Sequence, residues 1–174
     1  AGGGEGAGHG QDEADAEGFR RRRGEQALQQ IYDDMASALG ASDSAILVGA
    51  ARPRTLRPRV EPRDAVASIA NQASLVARWW LDGRSAYSPL EDLDIYQARP
   101  TLGGHHLPPK SPGHYHEAHA AIFDDGSVGL SWRAGGHEHE HTGARYLPHE
   151  IPAIAVEAFA AALIALVHAV ATDR

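Results

Sequence analysis

Apolar residues recur at three- and four-residue spacing in two stretches of the chain. From Glu25 to Leu39, residues Ala27, Leu28, Ile31, Tyr32, Met35 and Leu39 share one helical stripe, and Gly40 is a natural stop. From Pro62 to Asp82, residues Val66, Ile69, Ala70, Ala73, Val76, Ala77 and Trp80 form a second stripe. Pro62 suits the first helical position, and Asp82-Gly83 closes the helix. Elsewhere the period is two. Ala118, Ala120 and Ile122 alternate with His119, Ala121 and Phe123. Asp124-Asp125-Gly126 makes a turn, and Val128, Leu130 and Trp132 alternate on the way back. The pattern predicts a β-hairpin from Tyr115 to Trp132.

Shorter signals fill in the rest. Ser44 to Ala51, with Ile46-Leu47-Val48 at its centre, reads as a buried strand. Arg52 to Arg63 mixes arginine with Pro53, Pro58 and Pro62 and reads as an extended loop. Leu93, Ile95 and Tyr96 suggest a short strand, while Gly103-Gly104 and Pro108-Pro109 suggest loops. Gly135 to Gly143 is polar loop. Ile151 to Ala171 is apolar almost throughout, broken by Glu157 and His168. Its uncharged run, Ala158 to Val167, is too short to span a bilayer, which needs roughly 20 residues. A buried, alanine-rich helix over 152–171 is expected instead.

Together these elements predict an α+β domain: a small, mostly antiparallel sheet with a hairpin, packed against the two long helices 63–82 and 152–171. Residues 1–19, rich in glycine and acids, read as a disordered tail or linker, and 20–174 as a single domain. The glycine-rich start without an initiator methionine reads as a fragment or a processed chain.

Composition narrows the chemistry. At 174 residues and 43% hydrophobic, the chain is long enough to fold around its own core. A formal net charge of -7 gives no global attraction to nucleic acid or anionic lipid. The absence of cysteine excludes disulfides, thiolate zinc sites, iron–sulfur clusters and cysteine nucleophiles. It also fits a cytoplasmic setting, and residues 1–18 lack the pattern of a signal peptide. No phosphate-cradling loop, dinucleotide fingerprint or nucleophile elbow occurs. No catalytic residue and no cofactor is assigned.

Histidine is the unusual count, at eleven. His137, His139 and His141 alternate with glutamates and formally match a zinc-peptidase pattern. Flanking glycines remove the helix that such a pattern needs. His114 and His116 would share one face of the predicted hairpin, with His119 on the other, one ligand short of a site unless His105 or His106 folds over. No metal is therefore assigned, and binding by His114, His116, His137, His139 and His141 stays open. His168, in the last helix, reads as a buried or interface histidine. Arg20–Arg23 and Arg52, Arg54, Arg57, Arg59 and Arg63 are phosphate-compatible but lack any accompanying nucleic-acid-binding motif.

Two features suggest contacts with other chains. Ala158 and Ala162, with neighbouring alanines, permit close approach of another helix, from this chain or a second one. Trp80 is expected on the apolar stripe and Trp79 at its edge, where it would meet an oligomer or ligand.

Several short strings also resemble one family. They are Ala50-Ala51-Arg52-Pro53-Arg54, Ser88-Pro89-Leu90-Glu91-Asp92-Leu93-Asp94, the hairpin around Asp125-Gly126-Ser127-Val128, and Tyr146-Leu147-Pro148 before the last helix. Over residues 22–172 the chain resembles the C-terminal half of actinobacterial proteins whose N-terminal half is a Schlafen AlbA-type domain. That family is described as DNA-binding, transcriptional-regulator-like or ATP-binding. The resemblance implies that nucleic-acid or nucleotide binding belongs to the half not recognisable here, so no binding residue is carried over. It implies an accessory domain for oligomerisation or sensing, with a homo-oligomer or a partner protein and no membrane. The alternatives are a histidine-rich metal-binding protein or small metallohydrolase, and an arginine-mediated nucleic-acid binder.

Overall fold

The structure, a computed structural model, describes residues 8–55, 58–82, 87–113, 116–136 and 147–173. Helix α1 covers Gly8–Ala38, strand β1 Ile46–Ala51, helix α2 Arg63–Trp80, strand β2 Arg99–Thr101 and strand β3 Gly104–Leu107. Strands β4, Ala118–Phe123, and β5, Val128–Arg133, make the hairpin, and helix α3, Ala153–Asp173, follows. All five strands pair antiparallel in the order β1-β5-β4-β3-β2. The fold is α+β.

Register explains how the layers assemble. Ala118 faces Trp132 and Ala120 faces Leu130 across the hairpin, and Leu47 on β1 and Leu107 on β3 extend this row through the flanking strands. These side chains, with Val128 and Ile122, form one sheet face. They share a core with Val66, Ile69, Ala70, Ala73 and Ala77 of α2 and the buried side of α3. The two helices lie together on this face. An ion pair between Arg59 and Asp173, 3.8 Å, puts the end of α3 beside the segment leading into α2.

Small residues dominate the opposite face where α1 lies on it. Ile31 and Met35 pack on Ala121, with Val48, Ala50 and Phe123 around them. Gly129 allows this approach, since a Cβ there would sit 2.7 Å from Met35 Cγ and 2.8 Å from Ile31 Cγ2. Sheet residues Ala121 and Gly129 are direct cross-strand neighbours, so the helix settles into a shallow place made by two minimal side chains.

Four regions differ from expectation. Helix α1 begins at Gly8, not near Glu25, so much of the stretch read as a tail is helical. Alanine, glutamate, glutamine and arginine are strong helix formers, and Arg21 bonds Glu25 one turn on at 3.0 Å. Tyr32, placed on its stripe, is exposed; Ile31, Met35 and Leu39 are the buried positions. The segment around Leu93, Ile95 and Tyr96 forms two 3-10 turns, Pro89–Asp92 and Ile95–Gln97, instead of a strand. Ser88 Oγ accepts from the Leu90 amide at 3.4 Å, and Pro89 suits the first turn. Finally, Gly103-Gly104 is a hairpin corner, not a loop. Gly103 turns at φ +76°, and Gly104 lets the Ile122 carbonyl come where a Cβ would stand.

In α2 the stripe drifts, so that Leu81 takes the inner position after Ala77 and Trp80 points outward, 40% exposed. In α3 apolar residues cover both sides of the helix. Ala155, Ala158, Phe159, Ala162, Ala165 and Leu166 face the core, while Val156, Ile164 and Val167 are exposed. The helix is long and apolar enough to cross a membrane by length and composition, and 44% of its most apolar window is buried within the chain.

Filling the shallow place under α1 should loosen it. Gly129→Val is expected to lower unfolding free energy by roughly 1–3 kcal/mol by overpacking. Urea melts will measure the loss, and hydrogen exchange should locate the faster amides between Ile31 and Ala38.

Candidate functional site

Beyond the end of α1, the α1-facing side of the sheet turns polar. The alternation that puts Ala121 under α1 puts His119 on the same face, opposite Ser131 on β5. On the next strand His106 pairs with Ala121, and Arg99 pairs with His106. Glu117 precedes β4, beside Arg133, whose amide bonds its carbonyl at 2.8 Å.

These side chains form one continuous chain of contacts. His106 Nε2 lies 3.0 Å from His119 Nδ1, with ring centroids 5.1 Å apart. His119 Nε2 lies 3.0 Å from Glu117 Oε1. Glu117 Oε2 accepts from the Gly113 amide at 2.9 Å and meets an Arg133 terminal nitrogen at 3.4 Å. The same nitrogen donates to the Leu39 carbonyl at the end of α1. Glu117 is 7% exposed and Arg133 6%.

The carboxylate fixes the protons. Glu117 accepts from His119, so His119 carries its hydrogen on Nε2, and in the neutral ring Nδ1 is a lone pair. His106 then donates from Nε2, which leaves its Nδ1 as an acceptor. Burial would raise the Glu117 pKa, but bonds from His119 and the Gly113 amide, and the charges of His119 and Arg133, outweigh it and hold it below the ordinary value. Burial pushes His106 down to about 4, with the charges of His119 and Arg99 adding to the effect. Ser131 Oγ and the Arg133 Nε and Nη1 atoms are buried with no hydrogen-bond partner among the described residues.

A second polar group lies on the α2/α3 side. Tyr87 Oη donates to Asp92 Oδ1 at 2.8 Å, while the Trp132 indole nitrogen is buried with no hydrogen-bond partner among the described residues. Burial is the main cause that lifts Asp92 to about 6, against the lowering effects of Tyr87, Lys110 and Trp132. His116 lies face-on to Trp132 at 6.2 Å and against Tyr87 at 5.1 Å. Nearby, a cleft of about 350 Å³ opens between α2 and the 3-10 turns, lined by Asn71, Ser74, Arg78, Glu91, Tyr96 and Lys110.

The residues singled out in sequence therefore separate. His119 does face away from Ala118 and Ala120, as the alternation requires. Its partner is His106, which the sequence pattern left in a loop. His116 sits on the other side of the sheet among aromatics, so it does not converge with His119. His114, His137, His139 and His141 lie outside the described residues. Among the described residues, no group of three or more histidine or acidic side chains converges as a metal site. His168, read as buried or at an interface, is exposed.

Ala158 and Ala162 are 1% and 0% exposed, spent within this chain's own core and not on a second subunit. Their small size serves close packing inside the molecule. Trp79, at 74% exposure, remains open.

Of the loop arginines, Arg52 pairs with Asp125 at 3.5 Å, Arg59 with Glu61 at 3.4 Å, and Arg63 donates to the Tyr96 carbonyl. No family model, curated protein or solved structure matches the chain. The likeness to Schlafen AlbA-type proteins rests on the quoted strings alone.

Removing the carboxylate at the centre of the first chain leaves a buried guanidinium without its counter-charge. Glu117→Gln is expected to cost about 3–5 kcal/mol in urea unfolding. The double variant Glu117→Gln/Arg133→Met should recover a large part of that loss.

The two acids have opposite pH signatures. Glu117 is held low, so its stabilising contribution is full above its unfolded value of 4.5 and disappears as pH falls through the lower folded value. Asp92 is held high, so its folded form favours the proton, and stability falls as pH rises from 3.8 to about 6. Asp92→Asn should flatten the second slope in denaturant melts at pH 4 to 7. An unchanged slope would show that Asp92 does not carry it.

Proposed function

We propose that the chain is a non-catalytic interaction domain that assembles with a second copy through the outer faces of α2 and α3. The observation that carries this reading is the exposure of large apolar side chains on those two helices. Leu75 and Trp79 lie one turn apart on α2 with Trp80 beside them, and Val156, Ile164 and Val167 lie on one side of α3. A helix that is apolar all round normally has both sides covered. Here one side of α3 is covered by the sheet and α2, and the other by nothing in the described residues.

A second copy supplies the matching surface, because a two-fold arrangement puts the same apolar stripe on both sides of the contact. Exposed tryptophan suits such a contact, being among the residues that dominate interface energetics. The loop arginines favour this reading over nucleic-acid binding, since Arg52, Arg59 and Arg63 already hold acceptors within the chain. An accessory role is also what the resemblance to the C-terminal half of Schlafen AlbA-type proteins implies.

Sedimentation velocity across micromolar concentrations tests the proposal. The unaltered chain is expected to be a dimer, with Trp79→Glu or Ile164→Glu shifting it to monomer by at least tenfold in dissociation constant. Both positions are exposed, so the variants should melt close to the unaltered chain. A monomer at all concentrations would overturn the reading.

A further inference from the structure

The two outer edges of the sheet are built differently. β2 is three residues long, and two of them are Arg99 and Pro100. Short length, charge and proline are what keep an edge strand from pairing with other chains. β1 is six residues long, Ile-Leu-Val-Gly-Ala-Ala, with no charge and no proline. We propose that the β1 edge, with the cavity at its end, binds an extended peptide of another protein as an added strand, and that the cavity takes one large uncharged apolar side chain of that peptide. The assembly reading leaves this edge unused.

Register decides which backbone groups are open. The Arg133 amide bonds the Glu117 carbonyl, so Arg133, Ser131 and Gly129 turn their amides and carbonyls toward β4. Val128, Leu130 and Trp132 turn theirs toward β1, where their partners are Ala51, Gly49 and Leu47. The amides and carbonyls of Ile46, Val48 and Ala50 therefore point away from the sheet, because β1 is its last strand on this side. No described residue hydrogen-bonds them. Another extended backbone offers donors and acceptors at this alternate spacing.

The cavity selects the side chain. It measures about 240 Å³ and lies where the end of β1 meets the β4–β5 turn and the last turns of α3, with Ala51, Pro53, Val167, Val170 and Ala171 in its lining. An apolar cavity of about 150 Å³ holds a benzene, so this one has room for a leucine, isoleucine or phenylalanine side chain. Its two charged residues, Arg52 and Asp125, pair with each other at 3.5 Å, which leaves no net charge to attract an ionic group. Ala51 is both a lining residue and the last residue of β1, so a strand laid along the edge runs to the cavity.

Both faces beside this edge are apolar. A Cβ on Gly49 would stand 2.7 Å from Leu163 and 3.2 Å from Phe159, which places α3 directly over β1. On the other face Val48 and Ala50 lie with Ile31 and Met35 of α1. In strand addition the main chain supplies affinity and pockets for alternate side chains supply specificity. The β1 edge and the cavity beside Ala51 are those two parts.

The test uses the full chain. Random ten-residue peptides displayed on phage are selected against it, and one enriched peptide is synthesised. The enriched sequences are expected to alternate polar and apolar positions and to share one leucine, isoleucine or phenylalanine at a fixed place. Ala171→Trp, at an exposed position, narrows the cavity and should weaken the synthetic peptide at least tenfold by calorimetry. Ala50→Pro removes one outward amide, the place where an edge strand tolerates proline, and should also weaken it at least tenfold.

Two measurements leave the protein unaltered. N-methylation of every second peptide amide should abolish binding in one phase and spare it in the other. Hydrogen exchange at Ile46, Val48 and Ala50 should be fast in the free chain and slow with the peptide bound, while Leu47 and Gly49 exchange slowly in both. No enrichment, indifference to Ala171→Trp or Ala50→Pro, or equal effects of the two methylation phases would each overturn the proposal. So would slow exchange at Ile46, Val48 and Ala50 without peptide, which would mean that a second copy or this chain itself already occupies the edge.

Discussion

The pairing of β4 with β5 carries the rest of the architecture. It fixes which side chains share a face, and every other layer follows from that sorting. Ala118, Ala120, Ile122, Val128, Leu130 and Trp132 go to the α2/α3 side, where they meet an apolar core. His119, Ala121, Gly129, Ser131 and Arg133 go to the other. A slip by one residue would bury the histidine and arginine in the apolar layer and empty the seat of α1.

The second face is divided along its length by side-chain size. Under α1 its centre is Ala121 and Gly129, so the helix comes close, with Val48, Ala50 and Phe123 around the seat. Past the end of α1 it carries a buried ion pair and two imidazoles. Arg133 joins the two regions, because one guanidinium nitrogen reaches both Glu117 and the Leu39 carbonyl. The placement of α1 is thus tied to the same carboxylate that sets the tautomer of His119.

Periodicity in the sequence revealed the elements with strict repeats. The α2 stripe and the β4–β5 alternation were legible because each buried position recurs where its geometry demands it. β2 and β3 were not legible, since Gly103-Gly104 and the nearby prolines read as loop until a neighbouring strand gives Gly104 its reason. His106 entered the sequence reading only as a loop residue that, with His105, could fold over toward the hairpin histidines, although the facing of His119 was visible. The first half of α1 carries no apolar stripe, and its described side chains, from Asp15 to Arg23, make no core contact, so nothing in it signalled helix except propensity. Small size at Ala158 and Ala162 was readable as close packing, but a stripe of alanines does not say whose helix comes near. The arginines of 52–63 found carboxylates such as Asp125 and Asp173 far along the chain, a match that only the folded topology makes.

The docked portion of α1 is its last few turns, near Ile31, Met35 and Leu39, and side chains from Asp15 to Arg23 stand almost entirely in solvent. These nine residues form a rod that spans roughly 13 Å of helix at 1.5 Å per residue. Such a rod is a lever with its fulcrum on Gly129. A tilt of about ten degrees at the seat would carry Asp15, about 24 Å along the helix from Ile31, by roughly 4 Å, so small changes in that contact are magnified along the helix.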